Sequence, residues 1–437
     1  MHIQTDRAFI PVGTLSVRYL QVVISAPPAP AAAAGAARSP VDIAVVLDRS
    51  GSMDGSKITM ARKAVTHAVR LLKPDDHVAV VCYDDQVDTV LERTLASREA
   101  KALVMGRLAG IEPRGSTNLS GGWLAGAHEL QPAHDAGPAA GTGALPAARV
   151  KRVLLLTDGL ANAGAVDPQA LAATAARLRT EGVTTSTFGI GADFDEELLS
   201  RLATQGGGHF YYIEKAGQIP DFFTSELGET LDIVARDARF EITCKHGVSV
   251  ALLTDVPAEQ VAGSVRVRLG DLVADQQVTL TLAVRVQDPP ALGSGIEVRC
   301  RLTDRDHVLF AEPMYVDWAV VAAADNQAQP VNQAVLRAAA DAMAVAAQAE
   351  ALQANRRGAF DEAQRIVAQG MAAVRALAPD DTVVRKIVAR LDGDRNEFAA
   401  AMSPQELKRR HFMSYNVLGS RDAEAKARRT RKAPSAV

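Results

Sequence analysis

The segment Val41-Asp42-Ile43-Ala44-Val45-Val46-Leu47 has one charge in seven residues and ends on Asp48-Arg49-Ser50-Gly51-Ser52. An apolar run without alternation fits a strand covered on both faces, and such strands belong to parallel sheets flanked by helices. The end of the run, Asp48-x-Ser50-x-Ser52, puts one carboxylate and two hydroxyls on a tight glycine-bearing turn. All three can point at one spot. Hard oxygen donors at this spacing suit Mg²⁺ or Mn²⁺ and do not suit zinc. Three ligands leave an octahedron incomplete, and two further polar signals lie downstream. Gly115-Ser116-Thr117-Asn118 is a polar glycine-bearing loop, and Leu154-Leu155-Leu156-Thr157-Asp158-Gly159 is a second apolar strand ending in an acid. An EF-hand loop beginning at Asp48 would need glycine at Met53 and glutamate at Thr59, so that reading fails.

Strand and helix patterns alternate around these motifs. Lys57 to Leu72 repeats apolar residues at helical spacing, through Ile58, Ala61, Val65, Ala68, Val69 and Leu72, until Pro74-Asp75-Asp76 breaks it. His77 to Tyr83, Val150 to Thr157, Thr184 to Ile190 and His209 to Ile213 read as strands. Ser97 to Leu108, the segment from Thr117 to Leu130, Pro168 to Glu181, Asp195 to Thr204 and Ile219 to Val234 read as helices. The alternation predicts an α/β fold over 41–234, a doubly wound and mostly parallel sheet of Rossmann-like type. Ligands of such sheets sit at the C-terminal ends of the strands, where the three polar motifs fall. Residues 136–148, rich in Ala, Gly and Pro, read as a flexible insertion.

From Asp237 the apolar period changes to two. Ala238 to Cys244, Val248 to Leu253, Val265 to Leu269, Gln277 to Val286, Ile296 to Thr303 and Val308 to Val321 read as strands of an antiparallel β-sandwich over 235–322. The β-branched stretch 14–25 has no partner in the α/β unit, so the N-terminal segment 1–26 is expected to join the sandwich across a Pro/Ala linker, 27–40. Residues 330–402 are Ala-rich and give three helices, Val331 to Ala354, Phe360 to Leu377 and Thr382 to Met402, forming a bundle or hairpin. Gly358 to Ala363 resembles the start of a tetratricopeptide second helix, but one hairpin is too few for a solenoid. The tail, 403–437, is basic, with nine Lys or Arg against three acids in 404–437. Its apolar portion, 407–418, is expected to dock, and the part past Arg421 to be solvated.

Taken together, Asp48-x-Ser50-x-Ser52, the Gly115-Ser116-Thr117 loop and the Thr157-Asp158-Gly159 strand end resemble the von Willebrand factor type A domain, over roughly residues 41 to 230. In that family the set forms a metal-ion-dependent adhesion site. The resemblance implies that Ser50, Ser52 and Thr117 touch the metal through hydroxyls, and that Asp48 and Asp158 hold it directly or through water. It also implies Mg²⁺ (or Mn²⁺) as the ion and a protein partner that offers Asp or Glu to it. The order of segments looks like bacterial cytosolic proteins with an inter-alpha-trypsin-inhibitor-heavy-chain-like layout. Type A domains also serve as adaptors for AAA-type ATPases in chelatase-like systems, and nothing in this sequence selects that role.

An enzyme reading competes with this one. A haloacid-dehalogenase-type phosphatase also places an Asp after an apolar strand and uses Mg²⁺. Asp48 would then be the nucleophile and Thr157 the phosphate binder. That chemistry needs a second acid two residues on for proton transfer, and the chain has Ser50 there. Gly55-Ser56-Lys57 lacks the upstream glycine of a phosphate-binding loop, no HExxH occurs, and the nine histidines are dispersed. The expectation is a non-catalytic binding protein. Asp84-Asp85 reads as a solvated loop, and Asn118-Leu119-Ser120 fits a glycosylation triplet but lies inside the proposed site. Cys82, Cys244 and Cys300 are too scattered for a disulfide framework or zinc site, and Cys82 reads as a core residue. A net charge of −3 gives no bulk attraction to nucleic acid. With no signal-peptide pattern and no apolar stretch of about 18 residues, the chain reads as cytoplasmic, without a membrane span. The oligomeric state is not encoded in any pattern.

Overall fold

The computed structural model describes residues 1–29, 40–131, 149–160, 164–245, 247–254, 256–261, 263–309 and 312–429. Most of the linker (30–39), the insertion at 136–148 and the last eight residues of the tail lie outside the described residues. The chain divides into two units, one formed by 1–29 with 234–437 and the other by 30–233. Among the described residues no helix is long and apolar enough to cross a membrane.

The first three strands, β1 (His2–Thr5), β2 (Phe9–Pro11) and β3 (Ser16–Ser25), belong to the discontinuous unit. The chain then enters the α/β unit with β4 (Val41–Asp48), α1 (Ser56–Leu71), β5 (His77–Tyr83), β6 (Val87–Leu95), α2 (Arg98–Ala109), α3 (Leu119–Glu129) and β7 (Val150–Thr157). It continues through α4 (Pro168–Thr180), β8 (Val183–Ile190), α5 (Glu196–Gly206), β9 (Gly207–Ile213) and α6 (Ile219–Leu231). The sheet runs in the order β6-β5-β4-β7-β8-β9, parallel except for β6, which pairs antiparallel with β5. From β4 the chain winds to one side through β5 and β6, then returns to the other side at β7. The crevice beyond β4 and β7 is therefore the topological switch point.

Every residue of β4 is buried, as the apolar run requires. The one charge inside it, Asp42, is satisfied by Arg93 Nη2 at 2.8 Å, Arg149 Nε at 2.5 Å and His77 Nδ1 at 3.2 Å. Burial alone would raise this carboxyl, but the bonds from His77, Arg149 and Arg93 outweigh it and hold the group well below the usual carboxylate range. On the sheet face, α3 lies close against β4 and β5 because it presents glycines there. A Cβ on Gly126 would meet Val46 Cγ2 at 2.2 Å, and one on Gly122 would meet Tyr83 Cδ1 at 2.4 Å. Trp123 Nε1 then bonds Thr185 Oγ1 on β8 at 3.2 Å. Replacing Gly126 by Leu must push α3 off the sheet and is expected to cost about 1–3 kcal/mol, as overpacked cores do. Urea unfolding checks this, and an unchanged midpoint would show that the contact is slack.

The other unit adds β10 (Ile233–Cys244), β11 (Val248–Leu252), β12 (Ala258–Val261), β13 (Ser264–Val273), β14 (Gln277–Val286), β15 (Gly295–Thr303) and β16 (Met314–Val321). One sheet is β1-β3-β14-β11 and the other β12-β13-β10-β15-β16-β2, all antiparallel apart from the β16–β2 pair. Alternate residues of β3 (Leu20, Val22, Ile24) share one core with Phe240 of β10 and Trp318 of β16. β3 pairs along its whole length with β14, from Ser16↔Val286 to Ser25↔Gln277. The short strands β1, β2 and β12 are additions to the sequence reading, and β16 begins at Met314, not Val308.

The remaining helices are α7 (Ala323–Ala328), α8 (Gln333–Arg356), α9 (Phe360–Leu377), α10 (Thr382–Glu397) and α11 (Pro404–Leu418). The core shared by α8, α9 and α10 includes Leu336, Ala344, Leu352, Val367, Val374, Leu391 and Phe398. Asn332, Asp381 and Ser403 cap α8, α10 and α11 with side-chain oxygens. The tail departs from expectation past Arg421. β11 pairs only with Leu282–Val286, so the first half of β14 has an open edge, and residues 420–429 fill it. Gln277 N donates to Arg428 O at 2.7 Å, and Thr279 N to Ser420 Oγ at 3.1 Å. Arg421 and Ala425 are buried. A strand edge that would otherwise expose backbone groups is reason enough for this segment to dock.

Candidate metal centre

Each site residue sits at the end of an element that the packing fixes. Asp48 ends β4, and the turn after it carries Ser50 and Ser52. Asp158 follows β7, one residue past Thr157. Thr117 precedes the first turn of α3, whose N-cap is Asn118, with its Oδ1 accepting from Gly121 N at 3.0 Å. Backbone bonds stitch these loops together. Gly51 N donates to Gly115 O at 3.2 Å, Arg114 N to Arg49 O at 2.8 Å, and Asn118 N to Asp84 O at 2.8 Å. The side chain of Asn118 is thus committed to the loop that the site requires.

All five predicted residues come together. Asp48 Oδ1 accepts from Ser50 N at 2.7 Å, and Oδ2 from Thr157 Oγ1 at 2.6 Å. The Ser50 and Ser52 hydroxyl oxygens lie 3.2 Å apart, and Ser52 Oγ donates to Asp158 Oδ1 at 2.6 Å. A Cβ on Gly159 would lie 3.1 Å from Thr117 Oγ1 and 3.7 Å from Ser52 Oγ, so both hydroxyls border the space over that glycine. Asp48, Ser50, Thr117 and Asp158 are buried.

The electrostatics of the two acids differ. Asp158 Oδ2 is paired with Lys57 Nζ at 2.5 Å, from the first turn of α1. The hydrogen-bond donors on Asp48 are neutral. Burial chiefly, with the nearby charge of Asp158, pushes Asp48 up to about 6 against the pull of its bonds from Thr157 and Ser50. Two carboxylates and one ammonium leave net negative charge among hydroxyl oxygens. A hard divalent cation fits that donor set. Nitrogen and sulfur ligands are absent from the five residues, which disfavours softer metals.

Other participants escaped the sequence reading. Lys57 was legible only as part of an incomplete phosphate loop, although its place at the start of α1 aims it at the β7 end. Asp84, expected in a solvated loop, is buried. Its Oδ2 accepts from Arg49 Nε at 2.8 Å and Arg114 Nε at 2.7 Å, and its Oδ1 from Gln86 N at 2.7 Å. Asp88 of β6 joins the same pair of arginines. This network ties the Asp48 turn to the Thr117 loop. Asp85 alone of the pair is exposed, so only half of the solvated-loop expectation holds. The reason is that Arg49 and Arg114 arrive from segments distant in sequence and compensate the charge of Asp84.

Residues 42–225 match the von Willebrand factor type A domain. Over 203 residues the chain is 28% identical to the protein YfbK of Escherichia coli (strain K12), covering 46% of this chain and 33% of that protein. Over 206 residues it is 26% identical to the human inter-alpha-trypsin inhibitor heavy chain H4, covering 46% of this chain and 21% of that one. The chain thus spans a third or less of these two relatives. The solved structure of a von Willebrand factor type A protein from Catenulispora acidiphila has the same fold, with a TM-score of 0.63 at 19% identity, over 88% of this chain and 89% of that one.

Proposed function

From the premise that the chain is a von Willebrand factor type A domain protein, distantly related to bacterial proteins and to inter-alpha-trypsin inhibitor heavy chains, we propose that it is a metal-dependent protein-interaction module. Asp48, Ser50, Ser52, Thr117 and Asp158 would hold Mg²⁺ or Mn²⁺. The ion would supply a point of positive charge for a carboxylate from an Asp or Glu of the partner. The observation that carries the reading is the convergence of these oxygens at the switch point, with Asp48 buried among neutral donors. We assign no catalytic step to the site. Where an aspartyl phosphatase needs its second acid stands Ser50, whose hydroxyl is engaged with that of Ser52.

The test is partner capture in Mg²⁺ and in EDTA, with Thr117→Ala beside the native protein. A partner identified by mass spectrometry should be retained in Mg²⁺ and released by EDTA. The variant, which loses one hydroxyl and leaves Asp48 and Asp158 in place, should bind it about tenfold or more weakly at an unchanged unfolding temperature. Retention that is equal in EDTA would place the interaction elsewhere on the chain.

A further inference from the structure

The helix α1 carries a second surface, away from the metal centre. From Ser56 to Lys73 the sequence has no acid, and it presents Lys57, Arg62, Lys63, His67, Arg70 and Lys73. Lys57 is used by Asp158. Between α1 and α2 lies a groove of about 540 Å³, with Arg62, Lys63, His67 and Arg70 along one wall and Met105 and Leu108 on the other. Lys63, His67 and Arg70 are exposed, Met105 is half-buried and Leu108 is buried. Arg62 donates from Nη1 to Ala109 O at 3.0 Å, while its Nε is buried with no hydrogen-bond partner. Among the described residues no carboxylate pairs with Arg62, Lys63 or Arg70. Three cationic side chains without a carboxylate partner among the described residues, with His67 between them and an apolar strip beside them, are unusual on a chain whose net charge is −3.

We propose that this groove docks an acidic amphipathic segment of a protein partner, independently of metal. The charge complementarity is with carboxylates. The apolar strip of Met105 and Leu108 takes aliphatic side chains on the segment's other face. Arg62 and Arg70 are eight residues apart on one helix, so they are about 12 Å apart along its axis. A partner helix meets that spacing with acids two turns apart. A nucleic acid is the poorer fit. No Phe, Tyr or Trp side chain lines the groove to stack a base, and the chain as a whole carries net negative charge.

The probe is a fluorescent helical peptide of about four turns, with Leu at i, i+3, i+4 and i+7 spacing and Glu elsewhere. Binding to the full chain is read by anisotropy in EDTA throughout, so the metal centre plays no part. The peptide should bind, lose affinity as salt rises, and bind about tenfold or more weakly to Lys63→Glu/Arg70→Glu. Met105→Asp should weaken it as well, and the same peptide with Lys for Glu should not bind. Both changed basic residues are exposed. Should the double reversal still unfold, Lys63→Gln/Arg70→Gln must show the same direction with a smaller loss. Failure of the Glu peptide to bind, or binding indifferent to these substitutions, overturns the proposal. Tighter binding of single-stranded oligothymidylate with the same residue dependence would reassign the groove to nucleic acid.

Discussion

Asp48→Asn is expected to abolish metal-induced stabilisation while making the metal-free protein more stable at neutral pH. The first half follows from the loss of a buried anionic ligand. A metal present at about 100 times its Kd stabilises a folded protein by about 2.7 kcal/mol, and the variant should show none of this. The second half follows from burial. Asp48 is pushed up to about 6 from an ordinary value of 3.8, so the folded state disfavours its anion. A carboxyl raised in this way contributes stability that is full below about pH 4 and lost as pH rises through about 6. At pH 7.5 the ionised group therefore weighs against the metal-free fold by on the order of 3 kcal/mol, and the neutral amide removes that. The difference between variant and native protein should shrink towards pH 4. Protons and metal also compete for this carboxylate, so the native affinity should fall about tenfold per pH step of one below about 6. Thermal unfolding from pH 4 to 8, with and without Mg²⁺, tests all three statements. If the Asp48→Asn variant still responds to Mg²⁺ as the native protein does, Asp48 is removed from the ligand set.

The parts of this molecule that a linear reading finds are those whose signal is local. The runs that became β4 and β7 are apolar because both faces are covered, and an acid or hydroxyl at the end of such a run has nowhere to be but the switch-point crevice. The placing of Asp48 and Asp158 at that crevice was therefore legible before the geometry was. β6 was not, because it is an edge strand with Asp88, Glu92 and Arg93 in a nine-residue stretch, and only its pairing with β5 makes it a strand. The docking of residues 420–429 was equally hidden. Its cause is the shortness of β11, which leaves the edge of β14 open more than a hundred residues away in sequence. The Arg49–Asp84–Arg114 network shares this character, since each charge is compensated only after folding brings three loops together. Buried charge is what pattern reading handles worst, because a sequence does not print its pairs.

One such buried pair sets the other large effect. Glu226 of α6 is fully buried, and its two oxygens take four side-chain donors. Arg152 Nη1 of β7 at 2.7 Å and Ser186 Oγ at 2.5 Å reach Oε1, while His209 Nδ1 at 2.9 Å and Tyr211 Oη at 2.6 Å reach Oε2. Burial works to raise this carboxyl, but the charges of His209 and Arg152 and the bonds from His209 and Ser186 prevail and hold it well below its ordinary range. Arg152 is itself buried and also bonds Thr184 and Thr230, so the guanidinium clamps β7, β8 and α6 together. Arg152→Met keeps much of the volume and removes the charge, leaving Glu226 buried without its main fixed cation. The expected loss is about 3–5 kcal/mol at pH 7. The sign of the pH dependence separates this cause from lost packing. In the native protein a depressed carboxyl contributes stability that is present above about pH 4.3 and lost as pH falls through its folded value. In the variant His209 still opposes burial but the charge of Arg152 is gone, so the carboxyl moves up from its native position and protonation is less costly. The gap between the two proteins should therefore narrow from pH 7 to pH 5. Denaturant unfolding at those two pH values decides it, because a deficit of pure packing would stay constant.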